Sequence, residues 1–135
     1  MIRPADTRLP PIVGVAKVTD GDSFTLAGRR VRLYGIDAFE PMQRCGAAQE
    51  VACGTRATEY LQSLTGGSNI VCVERGIDQY QRTLAVCRVG INDLGAAMVR
   101  SGWAIAYREY AHDYSPDELE ATQMRVGAWA GSYEH

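Results

Sequence analysis

Apolar and polar positions alternate from Pro11 to Val18 closely enough to predict a strand. Asp20-Gly21-Asp22 is a turn signal, and Ser23-Phe24-Thr25-Leu26 predicts a second strand. Ala27-Gly28-Arg29 turns the chain again, and Val31 to Ile36 reads as a third strand. A long loop follows. From Gly54 to Leu64 the apolar spacing changes to that of a helix, with Ala57, Tyr60, Leu61 and Leu64 on one face and Gly66-Gly67 ending it. Asn69 to Glu74 and Thr83 to Val89 predict two more strands, joined by the polar loop Asp78-Gln79-Tyr80-Gln81-Arg82. Asp93 is placed to cap a short helix through Arg100, with Gly102 at its end. Ser115-Pro116-Asp117-Glu118 predicts a further helix running to about Gly127. There Ser115 would cap, Pro116 would take the first helical position, and Glu118 would complete a capping box.

The predicted order is βββαββαα: five strands with three helices. Three strands, a helix and two strands is the order of the five-stranded OB barrel, so the expected class is α+β, mainly a β barrel. Residues 1–10, rich in Pro and charge, read as a flexible arm, and 11–135 as a single domain with no internal repeat or linker.

Composition narrows the class only a little. A chain of 135 residues with 46% hydrophobic and 22% charged residues is an ordinary folded domain. No apolar run approaches membrane-spanning length, and MIRPADTRLPP has no apolar core of a signal peptide. The formal net charge of −2 weighs mildly against a nucleic-acid binder. The distribution is open to two readings: all 14 cationic residues except Lys17 are arginine, the side chain suited to bidentate phosphate contacts, and a GC-rich genome gives the same bias.

The segment RLYGIDAFEPMQRC raises the chemical question. Two carboxylates, Asp37 and Glu40, stand just past a strand that carries Arg32. Singly, Asp20, Asp22 and Asp37 are what turns ordinarily contain, Arg32 can lie along a barrel wall, and Arg82 can be a solvated loop charge. Together the acids and guanidinium groups have the types and spacing to hold a cation and a phosphate side by side.

VTDGDSFTL, RVRLYGIDAFE, DQYQRTLA and MVRSGWAIAYREY occur in an order that resembles the staphylococcal-nuclease-like, or thermonuclease, family, over roughly Gly14 to Gly131. The resemblance implies an OB barrel and calcium-dependent hydrolysis of DNA or RNA phosphodiesters. It implies Asp22 and Asp37 as calcium carboxylates, the Ala38 carbonyl as a further ligand and Asp20 as an acid close behind them. It implies Arg32 and Arg82 as a phosphate clamp, Glu40 as the residue that holds or deprotonates the attacking water, and Tyr80 with Tyr107 or Tyr110 lining the nucleotide site. Two positions depart from the family pattern. Phe39 stands where Pro is usual in DAPE, and Gln81 where Gly is usual in YGR, at a turn that favours positive φ.

Cys45, Cys53, Cys72 and Cys87 allow three pairings. Their spacing is not that of a zinc site. Cys72 and Cys87 fall on adjacent predicted strands, and Cys45 and Cys53 bracket one loop, which suggests two local disulfides and an oxidising compartment. The expectation is therefore a monomeric calcium-dependent endonuclease, periplasmic or secreted, with a cytoplasmic protein holding four reduced thiols as the alternative. The rival function is a non-catalytic OB module that binds nucleic acid or a protein partner. Trp103 and Trp129 read as core, His112 and His135 as surface residues, and Tyr107, Tyr110 and Tyr114 either as a binding stripe or as packing.

Overall fold

The computed structural model describes residues 9–107 and 114–130, so most of the predicted arm, together with Tyr110, His112 and His135, lies outside the described residues. The described elements run β1 (Ile12–Val15), β2 (Lys17–Asp20), β3 (Ser23–Leu26), β4 (Arg29–Leu33), β5 (Ile36–Ala38) and α1 (Cys53–Thr65). They continue with β6 (Asn69–Ile77), β7 (Thr83–Val89), β8 (Asn92–Asp93), α2 (Leu94–Arg100), β9 (Ala104–Ala106), α3 (Ser115–Met124) and a short 3-10 helix (Gly127–Ala130).

The main sheet has the order β1-β6-β7-β4-β3-β2, with β8 added beside β7. Its two ends, β1 and β2, are consecutive pieces of the single predicted first strand, parted only at Ala16. A sheet whose ends are one bent strand curls toward closure, which makes this an OB-like barrel. The pairing of β4 with β7 is parallel, Val31 opposite Thr83; the other pairings along this path are antiparallel. One guanidinium ties three strands together. Arg29 on β4 donates to Glu74 Oε1 of β6 at 3.2 Å and to Thr83 Oγ1 of β7 at 2.9 Å.

The core follows the alternation of the strands. Phe24, Leu26, Val31, Leu33, Ile36 and Ile70 are fully buried, and Ala57 and Leu61 of α1 and Leu94, Met98 and Val99 of α2 close over them. Each such large side chain contributes about 1.5–3 kcal/mol by leaving water. The expected face of α1 is the buried one, with Tyr60 and Leu64 half-buried beside Ala57 and Leu61. Asp93 caps α2 as predicted, accepting from the Ala96 N–H at 3.0 Å.

Three expectations are corrected. The third predicted strand, Val31 to Ile36, breaks at Tyr34-Gly35, where Gly35 takes φ 82°. Its last residue begins β5, which leaves the main sheet to pair with the unpredicted β9, Asp37 opposite Ile105. Helix α3 takes Tyr114 rather than Ser115 as its N-cap, with no side-chain cap bond, and ends at Met124 rather than near Gly127. The Ser115 hydroxyl has no hydrogen-bond partner among the described residues. Glu118, expected in the capping box, instead accepts the Ala106 N–H at 2.8 Å and so fastens α3 to β9. Of the tryptophans, Trp103 packs against the core half-buried and Trp129 is also half-buried.

Both disulfides are local: Cys45–Cys53 and Cys72–Cys87. Cys72 and Cys87 lie directly opposite each other on β6 and β7, facing the core. The loop they close spans 15 residues, a size for which chain entropy predicts about 3 kcal/mol of stabilisation. The double variant Cys72→Ser/Cys87→Ser is expected to lose roughly 2–4 kcal/mol of unfolding free energy. Urea titration of both proteins under non-reducing conditions checks this, and an unchanged midpoint would show that the bond constrains nothing.

Candidate active site

The turn between β2 and β3 is made by its own acids. Asp20 Oδ1 accepts the Ser23 hydroxyl at 2.6 Å and the Asp22 N–H at 3.3 Å. Gly21 sits between them because nothing larger fits: a Cβ there would lie 2.8 Å from the Cβ atoms of both Ala38 and Ala57. The turn is thus pressed against β5 and α1, and the Asp22 side chain is directed inward. Asp22 Oδ2 accepts the Ala38 N–H at 3.0 Å.

Arg32 completes this arrangement. Its Nη2 lies 3.3 Å from Asp22 Oδ2 and 3.1 Å from Asp37 Oδ1, and its Nη1 donates to the Ile36 carbonyl at 3.0 Å. Two carboxylates from different elements therefore meet one guanidinium nitrogen. The break at Tyr34-Gly35 makes this possible, because it turns β5 back so that Asp37 reaches an arginine five residues earlier. Burial pushes the Asp22 carboxyl up to about 7, against the pull of Arg32, and its hydrogen bond with Asp20 adds to the rise. Burial acts on Asp20 in the same direction, but its hydrogen bonds with Asp22 and Ser23 and the charge of Arg82 outweigh it and leave that carboxyl lowered.

The loop between β6 and β7 is organised around Asp78. Its Oδ1 accepts the N–H groups of Tyr80 and Arg82, each at 2.9 Å, and its Oδ2 takes Arg82 Nε at 2.7 Å. Among the described residues this ion pair engages Arg82 through Nε, and Arg82 also lines the cleft. Tyr80 is 60% exposed, with the Arg82 guanidinium 5.4 Å from its ring centre, and its carbonyl accepts from Arg30. Gln81 adopts φ 65°, the left-handed conformation that the sequence suggested this turn favours.

These pieces meet. Asp20, Asp22, Arg32, Asp37, Glu40 and Arg82 line one open cleft of about 210 Å³, with Ala38, Phe39 and Pro41 in its wall. The structure therefore brings together every residue predicted for catalysis or for a metal. A larger hollow of about 470 Å³ beside Arg56 and Trp103 has Glu50 as the one carboxylate among the described lining residues. The tyrosines divide. Tyr107 is half-buried and its N–H bonds the Gly35 carbonyl at 2.8 Å. Tyr114 is buried, its hydroxyl donating to Asp93 at 2.9 Å, which joins the start of α3 to the cap of α2. Asp78 was missed as a site residue. Its spacing of four from Arg82 is the available signal.

Among the described residues no three His, Cys, Asp or Glu side chains form a ready metal-binding group. The donors do fit a hard, oxygen-preferring cation. Asp22 and Asp37 already share a positive charge in the form of Arg32 Nη2, and Asp37 is 48% exposed in its side chain, open to solvent.

These acids and guanidinium groups are gathered in one cleft of an OB-like barrel. The staphylococcal nuclease homologue family matches residues 30–131. The chain belongs to that family. The turn carrying Asp20 and Asp22 precedes the matched segment. Among curated relatives, an uncharacterized endonuclease of Haemophilus influenzae is 34% identical over 86% of this chain and 65% of its own length. A micrococcal nuclease of Shigella flexneri is 33% identical over 86% of this chain and 72% of its own length. The succinoglycan biosynthesis protein ExoI of Rhizobium meliloti is 30% identical over 93% of this chain and 68% of its own length. The chain thus spans about two-thirds of the length of these relatives.

The Asp78 network carries a pH dependence. Burial raises this carboxyl, but the bonds from Arg82 and Tyr80 prevail and hold it below its ordinary 3.8. A carboxyl depressed by folding stabilises fully above its unfolded value and loses that contribution as pH falls through the folded one. Asp78→Asn should therefore cost about 1.5–3 kcal/mol at pH 7. The gap from wild type should close as pH falls below the ordinary carboxylate range. Denaturant titrations of both proteins at several pH values measure this, and a constant gap would remove Asp78 from that role. In the same loop, Gln81→Gly relieves a strained backbone and is expected to raise stability by roughly 0.5–1 kcal/mol, read by the same titration.

Proposed function

We propose that this protein is a calcium-dependent nuclease that hydrolyses DNA or RNA phosphodiesters as a monomer. The observation that carries the reading is the convergence of Asp20, Asp22, Arg32, Asp37, Glu40 and Arg82 on one cleft. Membership of the family and the nuclease names of its relatives support it. A pure binding module gains nothing from four acids beside phosphate-binding arginines.

Asp22 and Asp37, with the Ala38 carbonyl, would hold calcium, and Asp20 would stand behind them as the hydrogen-bonded neighbour of Asp22. Bound calcium supplies charge neutralisation for the anionic phosphate and for the charge that builds in the transition state. Arg32 from β4 and Arg82 from the β6–β7 loop would present guanidinium forks to the nonbridging oxygens, and such bonds strengthen as charge grows there. Glu40, exposed at the cleft edge, orients a water molecule and accepts its proton as the water oxygen bonds to phosphorus. The bridging P–O bond then breaks, and the leaving oxygen takes a proton from solvent. Tyr80, with Tyr107 or Tyr110, would line the nucleotide site.

Two disulfides are compatible with an oxidising compartment, and we infer a periplasmic or secreted protein. Among the described residues no helix is long and apolar enough to cross a membrane.

Cleavage of plasmid and of single-stranded oligonucleotide should appear with calcium and vanish with chelator. Arg32→Lys and Arg82→Lys each keep the charge and lose the fork, and each should cost about 10²–10³ in turnover. Glu40→Gln keeps the shape but cannot take a proton, and should cost on the order of 10²–10⁴. Steady-state kinetics on folded variants check all three. Calcium-independent cleavage, or full activity in Arg32→Lys, would defeat the assignment.

A further inference from the structure

The loop from Glu40 to Cys53 is long and carries the exposed Glu40, the carboxylate proposed to take the proton from water. Phe39 supplies none of the backbone restraint that a proline would give before Glu40. The loop is nonetheless tied at several points, and the ties converge on Glu40. The Gln43 side chain reaches back so that its Oε1 accepts the Glu40 N–H at 3.1 Å, while the Gln43 N–H donates to the Glu40 carbonyl at 2.8 Å. One residue thus satisfies both backbone groups of Glu40.

Gln43 is in turn fixed by the first turn of α1. Its carbonyl accepts the Gly54 N–H at 3.1 Å, and next to it the Thr55 hydroxyl donates to the Pro41 carbonyl at 3.3 Å. Gly54 is also the surface against which Glu40 rests. A Cβ on Gly54 would lie 1.6 Å from the Glu40 carbonyl oxygen and 2.8 Å from the Pro41 carbonyl carbon. No side chain can occupy that position while Glu40 stays where it is. The remaining loop is closed behind these contacts. Cys45 and Val51 exchange two backbone bonds, at 2.8 and 3.1 Å, and the Cys45–Cys53 disulfide locks this small bridge to the start of the helix. Arg44 donates to the Gln49 carbonyl at 2.7 Å and the Glu50 carbonyl at 3.3 Å from inside the same loop.

We propose that Gln43 and Gly54, backed by the Cys45–Cys53 disulfide, form a clamp that positions Glu40 for cleavage and takes the place of a rigid residue at 39. The proposal rests on the nuclease reading above. Gln43 and Gly54 touch neither phosphate nor water in it; they are positioning residues that act through Glu40. The clamp sets the backbone from which the carboxylate projects, so its loss should lower turnover far more than substrate binding.

The test is a double-mutant comparison. Calcium-dependent cleavage of a single-stranded oligonucleotide is measured for wild type, Gln43→Ala, Glu40→Gln and the two together. Expected is a loss of roughly tenfold in kcat for Gln43→Ala with KM within about twofold, since small displacements of a catalytic group are costly. In the Glu40→Gln background the same Gln43→Ala change should have almost no further effect, because the group it positions no longer takes the proton. Cys45→Ser/Cys53→Ser, which leaves Cys72–Cys87 intact, should show the same background dependence. Gly54→Ala should do so as well where circular dichroism shows it folded. Equal losses in both backgrounds would mean that Gln43 serves general stability, and would overturn the clamp. A fully active Gln43→Ala beside a crippled Glu40→Gln would overturn the clamp and leave the nuclease reading standing. Full activity in Glu40→Gln, or no cleavage by wild type, would overturn the nuclease reading and the clamp with it.

Discussion

The guanidinium of Arg32 is the interaction on which the cleft depends. Asp22 is buried, Asp37 comes from a strand that has left the main sheet, and Arg32 Nη2 meets both. Two carboxylates brought this close would repel, and the buried one would carry its desolvation alone. One planar cation with several donors answers both acids and the Ile36 carbonyl at once. A lysine, with a single nitrogen, could not make the same three contacts in fixed geometry. The barrel supplies the constraint that makes the pairing permanent. Closure through the bent first strand fixes the Asp20-Gly21-Asp22 turn, and the parallel β4–β7 pair fixes Arg32 relative to the Arg82 loop.

That arrangement has a consequence for the proposed reaction. In the protein alone, the acids and the arginine satisfy each other. A phosphate would draw on the donors of Arg32, and a cation would draw on Asp22 and Asp37. Either ligand by itself strips a partner from a half-buried charge, which is unfavourable. Both together exchange one set of ion pairs for another. On the proposed reading cation and phosphate would bind cooperatively, the coupling residing in a single guanidinium rather than in a moving domain.

Much of this was legible in the sequence, for reasons that differ by element. The α1 face, the Asp93 cap and the disulfide pairs depend on local spacing, which a sequence displays directly. The cleft residues were legible as a set because acids and arginines bunched at strand ends and fell in the order of a known family. Other features depended on long-range geometry. β5 and β9 are three residues each, too short for alternation to register, and they pair across a long stretch of chain, Ile36 with Ala106. Glu118 followed a helix-start pattern but was taken by the Ala106 N–H, because β9 lay within reach and its edge had to be satisfied. Ser115 lost its capping role in the same exchange.

The two loops that complete the cleft show one design in two forms. Each lacks the residue that suits its backbone, a proline at 39 that would fix φ and a glycine at 81 that would take positive φ without strain. Each is held instead by hydrogen bonds that converge on the backbone near the working side chain. Asp78 gathers the N–H groups of Tyr80 and Arg82 and then the Arg82 side chain itself, enough to hold Gln81 in a conformation costing on the order of 1–2 kcal/mol. Gln43 gathers both backbone groups of Glu40 and leans on a glycine that leaves room for them. A hydrogen-bonded restraint differs from a proline in kind. It can be loosened by one substitution or by opening one disulfide, and its strength depends on the loop around it remaining closed. The precision of this cleft is therefore a property of the loops' own packing as much as of the barrel beneath them.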